Sequence, residues 1–185
     1  MFAALIARLR APKPAHSLYF AIVSAAREPA LFQDGRVPDT FDGRFDLVLL
    51  HAAMVFRRLR AEGDTATDLA DGVFEVMCGD FDRSLREVGI SDTGIGRRVK
   101  AMARAFYGRA HAYDRALAGE EPLEAALRRN LYADQDVPPE AMAGLVTRVR
   151  AFEAGLRGLS VDDLRAGRLA PAATAALTPS GRRPN

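Results

Sequence analysis

The chain of 185 residues has a single cysteine, Cys78, which excludes an internal disulfide and any multi-thiolate metal cluster. Cys78 falls inside a predicted helix and reads as an inert packed thiol. No apolar run is long enough to cross a bilayer. The longest, Leu47 to Phe56, is interrupted by His51 and falls well short of the ~20 residues required. The common catalytic signatures are missing: there is no Gly-rich phosphate loop, HExxH, CxxC or GxSxG. An excess of one charge is missing as well. There are 26 basic and 24 acidic residues, a net charge of +2, with a pI near 9.0. So small an excess supports no specific nucleic-acid partner. The opening MFAALIARLRAPKPAH does not follow the pattern of a secretory leader, because Arg8 breaks its apolar stretch and positive charge follows that stretch. The expected location is the bacterial cytoplasm, or the matrix if the chain is organellar.

What the sequence does contain is helix. Hydrophobic residues make up 49% and charged residues 27%, the balance of an ordinary globular protein. The length suits one domain with a real core. No alternating stretch argues for a strand, and no internal repeat is visible. The expected fold class is all-α, one compact domain of about six helices. It spans residues 16–167, between an N-terminal segment 1–15 and a C-terminal tail 168–185. Met1 to Arg10 has an apolar side (Phe2, Leu5, Ile6, Leu9) and a basic one (Arg8, Arg10). It admits a weak membrane-surface contact, though a frayed or core-docked terminus is the plainer reading.

The first firm helix runs from His16 to about Arg27 and is stopped by Pro29. EPALFQDGRVPD, residues 28–39, reads as a loop that packs on the core through Leu31, Phe32 and Val37. A second helix, capped by Asp39, Thr40 or Asp42, runs to about Gly63. Its stripe of Phe41, Phe45, Val48, Ala52, Val55 and Leu59 is widened by Leu47, Leu50 and Met54, the pattern of a central buried helix. His51 sits in that apolar middle with no ligand at helical spacing, so it reads as a core histidine satisfied by hydrogen bonds. The third helix, about Thr65 to Val88, turns Leu69, Val73, Val76, Met77, Phe81 and Val88 inward and Asp68, Asp71, Glu75 and Asp82 outward. Arg86 follows Asp82 by one helical turn, a spacing worth about 0.3–0.5 kcal/mol if exposed. The fourth helix, about Thr93 to Leu117, carries Val99, Met102, Phe106, Ala110, Tyr113 and Leu117 on its apolar side. Gly108 in its interior is expected to admit another backbone. A fifth helix follows Pro122 to about Tyr132, and a sixth runs from Pro138-Pro139 to about Gly158. Ser160 to Asp163 resembles a capping box. Residues 171–185 are rich in Ala, Pro, Thr and Arg and read as mobile.

Two stretches are more particular than this pattern requires. One is VPDTFDGRFDLVLLHAAMVFRRL, Val37 to Leu59. The other is DFDRSLREVGISDTGIGRRVKAMARAFYGR, Asp80 to Arg109. With Leu18-Tyr19 and Ala25-Ala26-Arg27 upstream, they occur in the order found in the ubiquinol–cytochrome c chaperone family, which this chain resembles from about residue 18 to about residue 117. The resemblance implies a non-enzymatic assembly factor of the cytochrome bc1 complex, without cofactor or metal. It would bind newly made cytochrome b and aid its maturation into the complex, and the expected cytoplasmic location admits a peripheral place at the cytoplasmic face of the inner membrane. Whether a second small assembly chaperone takes part is left open. Two other classes compete. One is a generic helical interaction module. The other is a helical isoprenoid-diphosphate enzyme, which needs paired carboxylates facing one cavity to hold Mg²⁺. Asp80 and Asp82 point about 160° apart on an ideal helix, which argues against the enzyme.

Two groups of site residues follow. Asp39, Arg44, His51 and Asp80 are expected to be structural. Arg44 is the expected donor to Asp80, because a partly buried carboxylate needs one. Asp82, Arg86, Arg97, Lys100, Arg104, Tyr107 and His111 are the expected partner-binding face. They point away from the apolar stripe, so packing does not explain them, and Arg and Tyr are enriched where interfaces concentrate binding energy.

Overall fold

A computed structural model describes residues 13–87, 92–132 and 135–169. The N-terminal stretch to residue 12, the 88–91 connection and the C-terminal stretch from residue 170 lie outside them. Expectations placed on Met1 to Arg10, on Val88 and on 171–185 therefore fall outside the described residues. Among the described residues every regular element is helical.

The centre is α3, Phe41–Ala61, with α1 (Lys13–Ala26) and α2 (Pro29–Gln33) before it. Nine consecutive residues of α3, Leu47 to Val55, are buried. A helix apolar nearly all the way round has to be enclosed on every side. It is enclosed by α1, by α4 (Thr67–Glu87), by α5 (Asp92–Ala118) and by α7 (Pro139–Arg157). A short α6, Leu123–Leu127, continues as a π-helical turn, Arg128–Tyr132, that also reaches α3. A 3-10 turn, Gly63–Ala66, joins α3 to α4. At the far end α8, Val161–Arg165, opens on a full capping box between Ser160 and Asp163 and packs on α1.

The PDTFDGRF segment shows how local chemistry sets the start of α3. Of three candidate caps, Thr40 does the work: its hydroxyl accepts from the Gly43 N–H at 3.1 Å. Gly43 is required because a Cβ there would run into the Pro38 carbonyl oxygen. Gly108 behaves otherwise. It is exposed, and a Cβ there would meet nothing within 4 Å, so no backbone approaches it among the described residues.

Two further expectations are corrected. Residues 29–33 of the supposed loop form α2, with Pro29 at a first-turn position where its missing N–H costs nothing. The segment does pack on the core as expected: Leu31 and Val37 are buried, and Phe32 is half-buried against it. Arg44 does not reach Asp80. Its guanidinium pairs with Asp39, Nε to Oδ1 at 2.6 Å, and both side chains are more than half exposed. The donor to Asp80 is Tyr19, whose hydroxyl lies 2.8 Å from Oδ2, fastening α1 to α4. Arg83 adds a longer contact at 3.9 Å.

Candidate functional site

Chemistry needs reactive groups that converge, and the candidates here do not. Among the described residues no group of three His, Cys, Asp or Glu is placed to hold a metal ion. His51 is buried, its Nδ1–H donating to the Leu47 carbonyl at 2.8 Å and its ring edge-on to Phe152. Burial pushes its pKa down to about 4, so at neutral pH it is an uncharged core residue. Asp46 is the opposite case. Burial raises its carboxyl to about 6, against the pull of Arg109 at 3.0 Å. Perturbed acids often mark active sites, but this one is engaged with a structural arginine that reaches it from α5. Arg57 and Arg60 converge on Asp114, and Arg57 with Arg157 flanks Glu153. These pairs tie α3 to α5 and α7.

The expected partner-binding residues divide in two. Asp82 and Arg86 lie on α4 and engage each other, Nε to Oδ2 at 3.0 Å. Arg97, Lys100, Arg104, Tyr107 and His111 all lie exposed on α5. Spacings of four, three and four place Lys100, Arg104, Tyr107 and His111 along one stripe. Lys100 and Arg104 form no ion pair among the described residues. Tyr107 is 61% exposed, an unusual state for a large aromatic side chain in the middle of a helix.

Beside that stripe lies a feature the sequence pattern did not disclose. Phe56 of α3, Phe74 of α4, and Phe106 and Tyr107 of α5 form a continuous aromatic cluster, with ring centroids 5.4 to 6.4 Å apart. These separations are typical of favourable ring pairs. The cluster lines an open groove of about 450 Å³, to which Ala70, Ala110, Asp64 and Asp71 also contribute. Phe56 and Phe74 each follow a buried valine by one residue, so stripe-counting at three and four passes over both. Their side chains flank the core and supply the groove.

Among the described residues, no helix is long and apolar enough to cross a membrane. Comparison with known proteins adds what geometry lacks. Residues 33–173 match the family model described as ubiquinol-cytochrome C chaperone. The curated relatives include the ubiquinol-cytochrome c reductase complex assembly factor 1 of Mus musculus and that of Homo sapiens. Each is 26% identical over 148 residues, covering 80% of this chain. The chain spans about half the length of these relatives (50% of each). A crystal structure described as the Cbp3 homolog from Brucella abortus superposes with a TM-score of 0.76 at 34% identity. It covers 92% of this chain and 96% of that one.

Proposed function

Since this chain belongs to the ubiquinol-cytochrome c chaperone family, we propose that it is a non-enzymatic assembly chaperone of the cytochrome bc1 complex. It binds newly made cytochrome b at the cytoplasmic face of the membrane and holds it for assembly. The observation that carries the reading is the exposed face of α5, where Tyr107 shares a stripe with Lys100 and Arg104, both without acidic partners among the described residues. Solvated surface does not call for an exposed aromatic flanked by unpaired cations, whereas an interface uses both residue types. The relatives' names support the assembly role. The engaged state of Asp46 and His51 supports a binding protein over a catalyst.

The test is capture. Tagged wild-type protein is recovered from detergent-solubilised membranes, and cytochrome b is sought in the eluate. Lys100→Glu with Arg104→Glu changes only exposed side chains, so the fold survives while capture and membrane bc1 activity fall. Absence of cytochrome b from the wild-type eluate overturns the reading. Wild-type capture and activity in the double variant remove α5 as the client face.

A further inference from the structure

The aromatic groove has two edges of opposite charge. Asp68, Asp71 and Glu75 project from α4 at spacings of three and four, and all are exposed. Asp64 joins them from the 3-10 turn, and Asp64 and Asp71 line the groove itself. None of the four has a cationic partner among the described residues. Like charges one turn apart repel, at about 0.2–0.5 kcal/mol per pair, so the chain sustains this edge at a small cost to its own stability. Arg60 also lines the groove, but it is held by Asp114 at 3.1 Å. On the α5 side Lys100 and Arg104 are exposed, seven and three residues before Tyr107, which lines the groove. Between the edges lie Phe56, Phe74, Phe106 and the exposed Tyr107.

We propose that this groove docks an amphipathic helix of the client, apolar on the face toward the aromatic floor and carrying Lys or Arg along the edge toward α4. The walls are helical and present no strand edge among the described residues, so the fitting ligand is a helix laid in a groove rather than an added strand. The acidic edge selects cations, and the basic edge of α5 rejects them. Opposite edges thus fix which way round the docked helix lies, a use of charge that gives specificity more than affinity. The inference rests on the client being a membrane protein. Such proteins concentrate Lys and Arg in the segments flanking their spans on the cytoplasmic side.

Two labelled synthetic helices of about 18 residues, long enough to hold helical structure, serve as probes in fluorescence anisotropy. One carries a leucine face with lysine along one edge. The other has glutamate in place of each lysine. The lysine helix binds the wild-type chain and the glutamate helix does not. Asp68→Lys with Asp71→Lys weakens binding at least tenfold, as does Tyr107→Ala. The same charge change outside the groove, Glu124→Lys with Glu140→Lys, leaves binding unaltered. Equal binding of the two helices, or insensitivity to the Asp68 and Asp71 changes, overturns the proposal. So does sedimentation showing a wild-type dimer that Tyr107→Ala dissociates, since the groove would then be covered by a second copy. Capture from membranes separates this inference from the assembly reading. Cytochrome b recovered equally by wild type and by Asp68→Lys with Asp71→Lys sinks the groove and leaves the chaperone standing. No recovery by wild type sinks the chaperone, while the anisotropy result still judges the groove.

Discussion

Acidification tests the interior most directly, through His51. Its imidazole is buried in the middle of α3, and burial brings its pKa from 6.5 to about 4. The folded state therefore holds the proton less tightly than the unfolded chain does. The associated stability is fully present above pH 6.5 and is lost as pH falls toward 4. Crossing the whole window is worth about 3 kcal/mol, at about 1.4 kcal/mol per pH unit. By about pH 5 some 2 kcal/mol of it is gone. Asp46 works in the opposite direction. Its carboxyl is raised to about 6, so the folded state holds that proton more tightly and gains stability as pH falls through 6. A pH profile of wild type alone mixes the two. His51→Leu separates them, since Asp46 is present in both proteins and cancels in the difference. Urea unfolding followed by far-UV circular dichroism, repeated between about pH 7 and about pH 4, gives both free energies. The gap between wild type and His51→Leu shifts in favour of the variant by about 2–3 kcal/mol across that range. Parallel curves would show that His51 is not kept neutral by burial and would refute the reasoning.

Val55→Asp places an unpaired charge where the wild-type residue is wholly buried and abolishes folding; soluble protein with unchanged helicity contradicts the central position of α3. Gly43→Ala costs about 2–3 kcal/mol because the Pro38 carbonyl must give way. Gly108→Ala adds about 0.5–1 kcal/mol, since the new methyl group meets open space. Thermal melts read the two glycine changes as shifts of opposite sign, roughly 2–4 °C per kcal/mol. Tyr19→Phe removes the hydroxyl donor from Asp80 and lowers stability by about 1 kcal/mol. Arg44→Ala, at an exposed pair, leaves the urea midpoint where it was; a larger loss for Arg44 than for Tyr19 reverses the assignment.

The parts of the fold legible in sequence are those governed by local periodicity. The buried run Leu47 to Val55 announces a central helix because no exposed face is left to it. The Ser160 capping box is readable because its two bonds join residues three apart. What escaped depends on how helices cross. Tyr19 and Asp80 are separated by 61 positions, and nothing in either neighbourhood says that α1 passes over α4. Once Asp80 looks partly buried, an arginine seems the natural donor, whereas a tyrosine already anchored in the core reaches it without burying a second charge. The π-helical turn at Arg128–Tyr132 is another case. Tyr132 donates its hydroxyl to the Gly35 carbonyl, a contact decided by where the 28–39 segment lies. The candidate site was half visible. The stripe of Lys100, Arg104, Tyr107 and His111 follows from spacing alone. The groove does not, because its floor draws one or two residues from each of three helices.

Net charge conceals how this chain distributes its ions. Arginine carries most of the positive charge, and lysine occurs only at Lys13 and Lys100. Much of the arginine is spent on the fold. Arg58 donates to the carbonyls of Leu156 and Leu159 at the C-terminal end of α7, where a cation is favoured by the helix dipole. Arg148 bridges Glu28 and Asp34, holding α2 against α7. Planar guanidinium groups suit such fixed, multi-donor contacts, whereas a lysine ammonium is a mobile point charge. Lys100 is exposed on α5, two turns before the groove-lining Tyr107, and Asp68, Asp71 and Glu75 of α4 have no cationic partner among the described residues. A nearly neutral protein therefore presents a strong local dipole across one aromatic groove. Charges of this kind act over about 8 Å at physiological salt, so they steer only what has already come close. The aromatic floor must supply the affinity, and the charged edges decide which face of the arriving helix it meets.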